Sequence, residues 1–103
     1  MVLFSVSPLI KAQLREIDKE NTKLICKHLL QFVYDKNLLL KYPFNDKGEI
    51  DLNLEIKKSD LNEVGGRIFY NLMLKWLSYT DKTNKIDNTM MLEKYYNKLI
   101  EKL

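Results

Sequence analysis

The sequence predicts a mainly α domain of the α+β class, a bundle of three to four helices with one inserted β-hairpin. Three observations predict it. Apolar residues recur at spacings of three and four along most of the chain, which is the mark of amphipathic helices. That period switches to two over residues 49–57 and reverts at Asp60. Only three glycines and two prolines occur in 103 residues, too few turn-formers for an all-β fold. The length suits a single domain over residues 1–103, able to bury roughly two-thirds of its unfolded surface.

Ser7 followed by Pro8 reads as a helix start, a side-chain cap and then a residue with its φ already set. Ile10, Leu14 and Ile17 continue the stripe. Asn21 and Thr22 interrupt it and are placed to cap a second helix carrying Ile25, Leu29, Phe32 and Val33. Residues 8–35 are therefore either two helices or one helix with a break near residue 21. Residues 38–42 are a candidate strand, with Pro43 restricting it to an edge or a short piece. Asn45-Asp46-Lys47-Gly48 has the composition of a type I turn ending in a left-handed glycine.

The run after that turn alternates without a fault. Ile50, Leu52, Leu54 and Ile56 fall on one face, and Glu49, Asp51, Asn53, Glu55 and Lys57 on the other. Because a lone hairpin is marginal in water, its apolar face must lie on helices, or residues 2–6 must add a third strand. Asp60 and Glu63 then resemble a capping box opening a helix with the stripe Val64, Ile68, Leu72, Trp76 and Leu77, flanked by Phe69 and Met73. Trp76, on that stripe, should be buried. Gly65 and Gly66 in the first turns imply close backbone packing or a start nearer Arg67. Residues 79–85 read as a polar loop. Asn88 or Thr89 caps a last helix with Met91 or Leu92, Tyr95, Tyr96, Leu99 and Leu103 on its apolar side.

Net charge is +3, and its distribution is uneven. Residues 1–42 hold seven Lys/Arg against four Asp/Glu, and residues 65–103 repeat those counts. Between them, residues 43–64 hold three lysines against six acids. Such asymmetry bears on association and steering rather than on fold. The apolar residues 1–6 lack the charged leader and length of a signal peptide, and no run approaches the roughly 20 apolar residues that span a bilayer. With a single cysteine, Cys26, no internal disulfide forms. The expectation is a cytoplasmic protein without a membrane partner.

Catalytic constellations are weak. His28 is the sole histidine, so a hydrolytic triad lacks visible parts. Cys26-x-His28 is too short and solitary for zinc, and both residues read as ordinary core or boundary positions. Registering a calcium loop on Gly48 puts Pro43, Lys47 and Leu54 at the first, fifth and twelfth positions, where ligands are required. Asp46 or Asp51 followed by Glu55-Ile56-Lys57 resembles the Asp…Glu-x-Lys signature of the restriction-endonuclease-like superfamily. That resemblance implies a metal-dependent nuclease, but its core needs a larger sheet than this chain supplies. Lys94-Tyr95-Tyr96 with Lys98 and Lys102 interleaves cations and aromatics as RNA-binding surfaces do. Helical spacing, however, turns the tyrosines to the apolar stripe and the lysines to the opposite face. The expectation is no enzyme, no cofactor, no metal and no directly bound nucleic acid.

A compact chain of this size, rich in Lys, Asn and Ile, without catalytic parts and bearing a local acidic surface, resembles the small bacterial toxin-immunity proteins, such as those of contact-dependent growth inhibition. The resemblance is one of size and composition. It implies a stoichiometric inhibitor that covers the active site or substrate groove of one cognate toxin, often a nuclease. Such a groove is basic because it holds phosphates, so an acidic face would complement it. The expected partner-binding residues are Asp46, Glu49, Asp51 and Glu55. The alternative is a helical regulatory or scaffold module.

Overall fold

The computed structural model describes residues 2–103. Along the chain run β1 (Val2–Ser5), α1 (Val6–Lys11), α2 (Glu16–Asp35), β2 (Glu55–Lys57), a 3-10 turn (Lys58–Asp60), α3 (Glu63–Thr83) and α4 (Met90–Glu101). The fold is mainly α, with four helices and one antiparallel pair of strands among the described residues. No helix is long and apolar enough to cross a membrane, among the described residues.

Pairing inside the β element differs in detail from the sequence reading. β2 pairs with β1, with Phe4 opposite Ile56 and Ser5 opposite Glu55, and an irregularity lies between Val2 and Phe4. The N-terminal segment, one of two ways to cover the hairpin, is thus the main partner. Phe4 and Ile56 are both buried, and the Phe4 ring meets Phe69 of α3 edge-on at 6.0 Å. The expected strand at 38–42 shrinks to a bridge, Leu39 opposite Leu61. Its neighbours Leu38 and Leu39 are buried while Leu40 is 65% exposed, so the segment is anchored rather than laid flat in a sheet. Around the 45–48 turn the hairpin tip does form, with Phe44 opposite Ile50.

The helix boundaries shift for identifiable reasons. α1 begins at Val6, with Pro8 in its first turn, where the N–H that proline lacks would have no intrahelical partner. Ser7 is inside the helix rather than its cap. The break between the first two helices falls at residues 12–15, not near 21, leaving Leu14 95% exposed. Asn21 and Thr22 lie within α2, where the Thr22 hydroxyl donates to the Asp18 carbonyl at 2.8 Å, a local bond that lets a threonine sit mid-helix. α2 ends in a Schellman motif, with Asn37 at φ 62°, Leu38 N–H donating to Val33 O at 2.9 Å and Asn37 N–H to Tyr34 O at 3.0 Å.

α3 is capped by Asn62 rather than by an Asp60–Glu63 box. The Asn62 Oδ1 accepts from Gly65 N–H at 2.7 Å, while its Nδ2 donates to Asn37 O at 2.8 Å. One side chain therefore ties the end of α2 to the start of α3. Asp60 instead accepts from Lys57 N–H at 2.9 Å and pairs with Lys41 at 3.0 Å. At Gly65 the start of α3 lies close against the chain just after α2, since a Cβ there would lie 2.8 Å from the Leu38 carbonyl oxygen. The expected loop at 79–85 is mostly helix, because α3 runs on to Thr83 and stops at Asn84 with φ 57°. Thr80 is buried there, and the Thr83 hydroxyl bonds back to Tyr79 O at 2.7 Å.

Trp76 is fully buried, as its place on the stripe requires, and its Nε1 donates to Ile25 O of α2 at 3.0 Å. It belongs to one core cluster with Leu29, Leu30, Ile68, Phe69, Leu72 and Leu92, all buried. In α4, Leu92 and Leu99 are buried, Tyr95 and Tyr96 are half-buried, and Leu103 is 55% exposed beyond the helix end. Thr89 occupies the cap position of α4 without a side-chain capping bond.

Candidate functional site

The acidic segment is a loop built on two turns. Asn45 organises the first: its Oδ1 accepts from Lys47 N–H at 2.9 Å and Glu49 N–H at 3.0 Å, and its backbone N–H donates to Glu49 O at 2.9 Å. Gly48 closes that turn at φ 77°, a conformation costly for any residue with a Cβ. In the second turn, Asp51 Oδ1 accepts from Asn53 N–H at 2.9 Å and Leu54 N–H donates to Asp51 O at 3.1 Å. This second turn overturns the uninterrupted strand expected over 49–57. Aspartate and asparagine bond readily to backbone two residues on, and that local bond replaces a ladder the sheet does not continue. Leu52, expected in the core, is 44% exposed as a result.

Four buried residues hold the loop. Pro43 and Phe44 pin its start, Leu54 and Ile56 its end. Between these anchors Asp46, Glu49 and Asp51 are exposed, and Glu55 is exposed at the start of β2. Glu49 and Asp51 line an open groove of about 470 Å³ against α2, together with Glu20, Lys23, Leu24, Lys27, Ile50 and Leu52. Glu55 is elsewhere, beside Ser5, Ser7, Pro8 and Lys11, and accepts from the Ser5 hydroxyl at 3.4 Å. The four acids therefore share one exposed segment but not one groove. The α2 contribution was missed from the sequence. The sequence carried no signal for it: Leu24 keeps helical spacing with Ile17, as a core position would, yet is 43% exposed.

The groove is amphipathic rather than simply acidic. Leu24 and Leu52 supply exposed apolar surface, and Glu20 is paired with Lys23 at 3.0 Å. Glu49 and Asp51 make no ion pair among the described residues, so their charge is open to a partner. The strand face that Asp51, Glu55 and Lys57 would share in a nuclease is interrupted by the turn at Leu52 and Asn53. Among the described residues no three His, Cys, Asp or Glu side chains gather as a metal site would need.

Cys26 and His28 belong to the scaffold. Cys26 is buried, and loss of water around it pushes its thiol up to about 12. His28 Nδ1 lies 2.6 Å from Ile86 O; since a carbonyl only accepts, that nitrogen carries the proton and ties α2 to the segment before α4. Comparison with known proteins finds no match to the chain among family models, curated proteins or solved structures.

Proposed function

We propose that this protein is a stoichiometric binding protein that neutralises a cognate bacterial toxin, a nuclease domain, by laying the acidic segment 46–55 over its basic substrate groove. One observation carries the reading. Four carboxylates stand exposed on one segment that buried residues anchor, those of Asp46, Glu49 and Asp51 on the loop and that of Glu55 at the start of β2. Its two side-chain-organised turns order the segment before binding, which lowers the entropy lost on association. A preset acidic surface also steers a phosphate-binding partner into encounter. The resemblance in size and composition to toxin-immunity proteins points the same way.

The test is inhibition of nuclease toxin domains by the purified protein, beginning with any such domain encoded beside its gene. The expected result is a one-to-one complex and loss of cleavage. With Asp51→Lys and Glu55→Lys together, association at low salt should slow by roughly tenfold or more, with a weaker salt dependence. Failure of the wild-type protein to inhibit any of them would overturn the proposal. A double variant that associates as fast as wild type would move the interface away from the acidic segment.

A further inference from the structure

The lysine–tyrosine motif of the last helix acquires a setting that α4 alone does not show. Tyr96 is accounted for by packing: it meets Phe32 edge-on at 5.6 Å, and Lys36 Nζ lies 5.2 Å from its ring centre. Tyr95 is different. Half-buried, it meets Tyr79 of α3 at 6.4 Å and forms one wall of an open groove of about 350 Å³. The opposite wall is α3, with Lys75, Ser78, Tyr79 and Lys82. Positions 75, 79 and 82 are four and three apart and so share a helix face. The cations of this groove come from α3, not from the solvent-facing lysines of α4.

Its charge is one-sided. No acidic side chain lines the groove, and among the described residues neither Lys75 nor Lys82 forms an ion pair. The nearby acid of α4, Glu93, is paired with Lys36 at 2.9 Å. Lys82, in the last turn of α3, suits the carbonyl end of that helix, which favours cations. Lys75 lies two turns further in, beyond the reach of that effect, with its Nζ 5.8 Å from the Tyr95 ring centre. A cation over a half-buried aromatic ring that lines an open groove, with no carboxylate in the lining, joins the two groups that hold a nucleotide: a point charge for phosphate and a π-face for a base.

We propose that the α3–α4 groove binds single-stranded nucleic acid, with phosphates held by Lys75 and Lys82 and a base stacked on Tyr95. Along the helix the two lysines are about 10 Å apart, a span that phosphates flanking a base can bridge. The Tyr79 hydroxyl accepts from Asn88 Nδ2 at 2.8 Å, so its own hydrogen is free to donate to a phosphate or base oxygen. The basic balance of residues 65–103 is then in part a ligand site. None of these residues lines the acidic groove, and the proposal stands independently of the toxin reading.

Fluorescence anisotropy with a labelled oligouridylate of about a dozen nucleotides, at about 50 mM salt, tests it. Binding should fall in the range of about 1–100 μM and weaken with salt at a logarithmic slope of about −1.4, two phosphate contacts on a single strand. Lys75→Gln with Lys82→Gln should weaken binding at least about tenfold and flatten the slope towards zero. Tyr95→Leu should weaken it roughly five- to a hundredfold while leaving the slope in place. Fluorescence of Trp76, whose ring stacks on Tyr79 at 6.0 Å, should change on binding in wild type and not in the lysine variant. An oligothymidylate separates RNA from DNA, and inorganic polyphosphate separates base stacking from charge alone. Asp51→Lys with Glu55→Lys should bind the oligonucleotide no more weakly than wild type. No binding by wild type, or equal binding by the folded lysine variant, overturns the proposal. Polyphosphate binding as tight as RNA, with Tyr95→Leu silent, overturns the stacking on Tyr95.

Discussion

The α2–α3 pair and the segment from Lys36 to Asn62 contribute buried residues to the same core but are held together differently. In α2 and α3 every interior backbone group is satisfied within its own helix, and side-chain periodicity alone decides which face turns inward. Leu29, Val33, Ile68, Leu72 and Trp76 are buried on that basis. In the connecting segment the backbone bonds are divided between local turns, such as Leu54 N–H to Asp51 O at 3.1 Å, and distant partners, Leu40 N–H to Asp60 O at 2.8 Å and Asn62 N–H to Leu38 O at 3.0 Å. Its buried residues come singly or in pairs, at Leu38, Leu39, Pro43, Phe44, Leu54, Ile56 and Leu61, with exposed chain between them. The difference teaches that a segment pinned at intervals can present polar side chains that a continuous strand would have arranged in rows.

Removing the largest buried side chain of the helical pair should have the largest effect. Trp76→Ala leaves a cavity and removes the indole bond to the Ile25 carbonyl, and should lower stability by about 3–5 kcal/mol in urea unfolding. A loss under about 1 kcal/mol would mean that α2 and α3 do not share this core. Where the two regions meet, Gly65→Ala should destabilise by about 1–3 kcal/mol, because the new Cβ presses on the Leu38 carbonyl, a backbone atom with little freedom to yield. Helix propensity alone predicts the opposite sign, a gain of up to about 1 kcal/mol. The sign of the measured change therefore tells whether the loop truly abuts the helix.

A smaller effect concerns Cys26 within α2. Its thiol in the folded protein ionises only near pH 12, whereas an unfolded chain releases that proton near about 8.5. Above that lower value the folded state holds the extra proton, so the thiol's contribution to stability, intact below it, declines as pH rises towards 12. Thermal melts of wild type and Cys26→Ala should converge as pH is raised from about 8 to 10. Alkylation of Cys26 in native buffer should be slow and should become fast on unfolding. Fast alkylation of the native protein would show that this stretch of α2 opens locally.

The helical stripes and the 45–48 turn were legible in the residues, since each depends on neighbours within a few positions. The stripe also marked Trp76 for burial, and the glycine pair offered close packing at Gly65 as one of two readings, but the groups met there, Ile25 and Leu38, lie far away in sequence. The misread features involve a competing bond. Asn21 and Thr22 look like caps, yet Thr22 is satisfied inside the helix by Asp18 O. Asp60 looks like the cap of α3, yet its carboxylate is engaged by Lys57 N–H and Lys41, which also hold its pKa below the usual carboxylate range. Asn62, two residues on, caps α3 instead. At the candidate site, the exposure of Asp46, Glu49, Asp51 and Glu55 was readable from their charge. The groove was not, because Leu24 and Leu52 are 28 positions apart in sequence and meet around it only after folding.

Local physics in the chain itself determined the mainly α class, the positions of the turns and the acidic island between two basic flanks. Periodicity and charge are properties of a few adjacent residues, and no partner is needed to express them. Tertiary structure alone decided that β2 would pair with the N-terminal strand, that Leu24 and Leu52 would flank one groove, and that Lys75 and Tyr95 would share another. Each of those outcomes depends on which distant backbone or side-chain group arrives first within bonding distance, and a one-dimensional pattern carries no record of that distance.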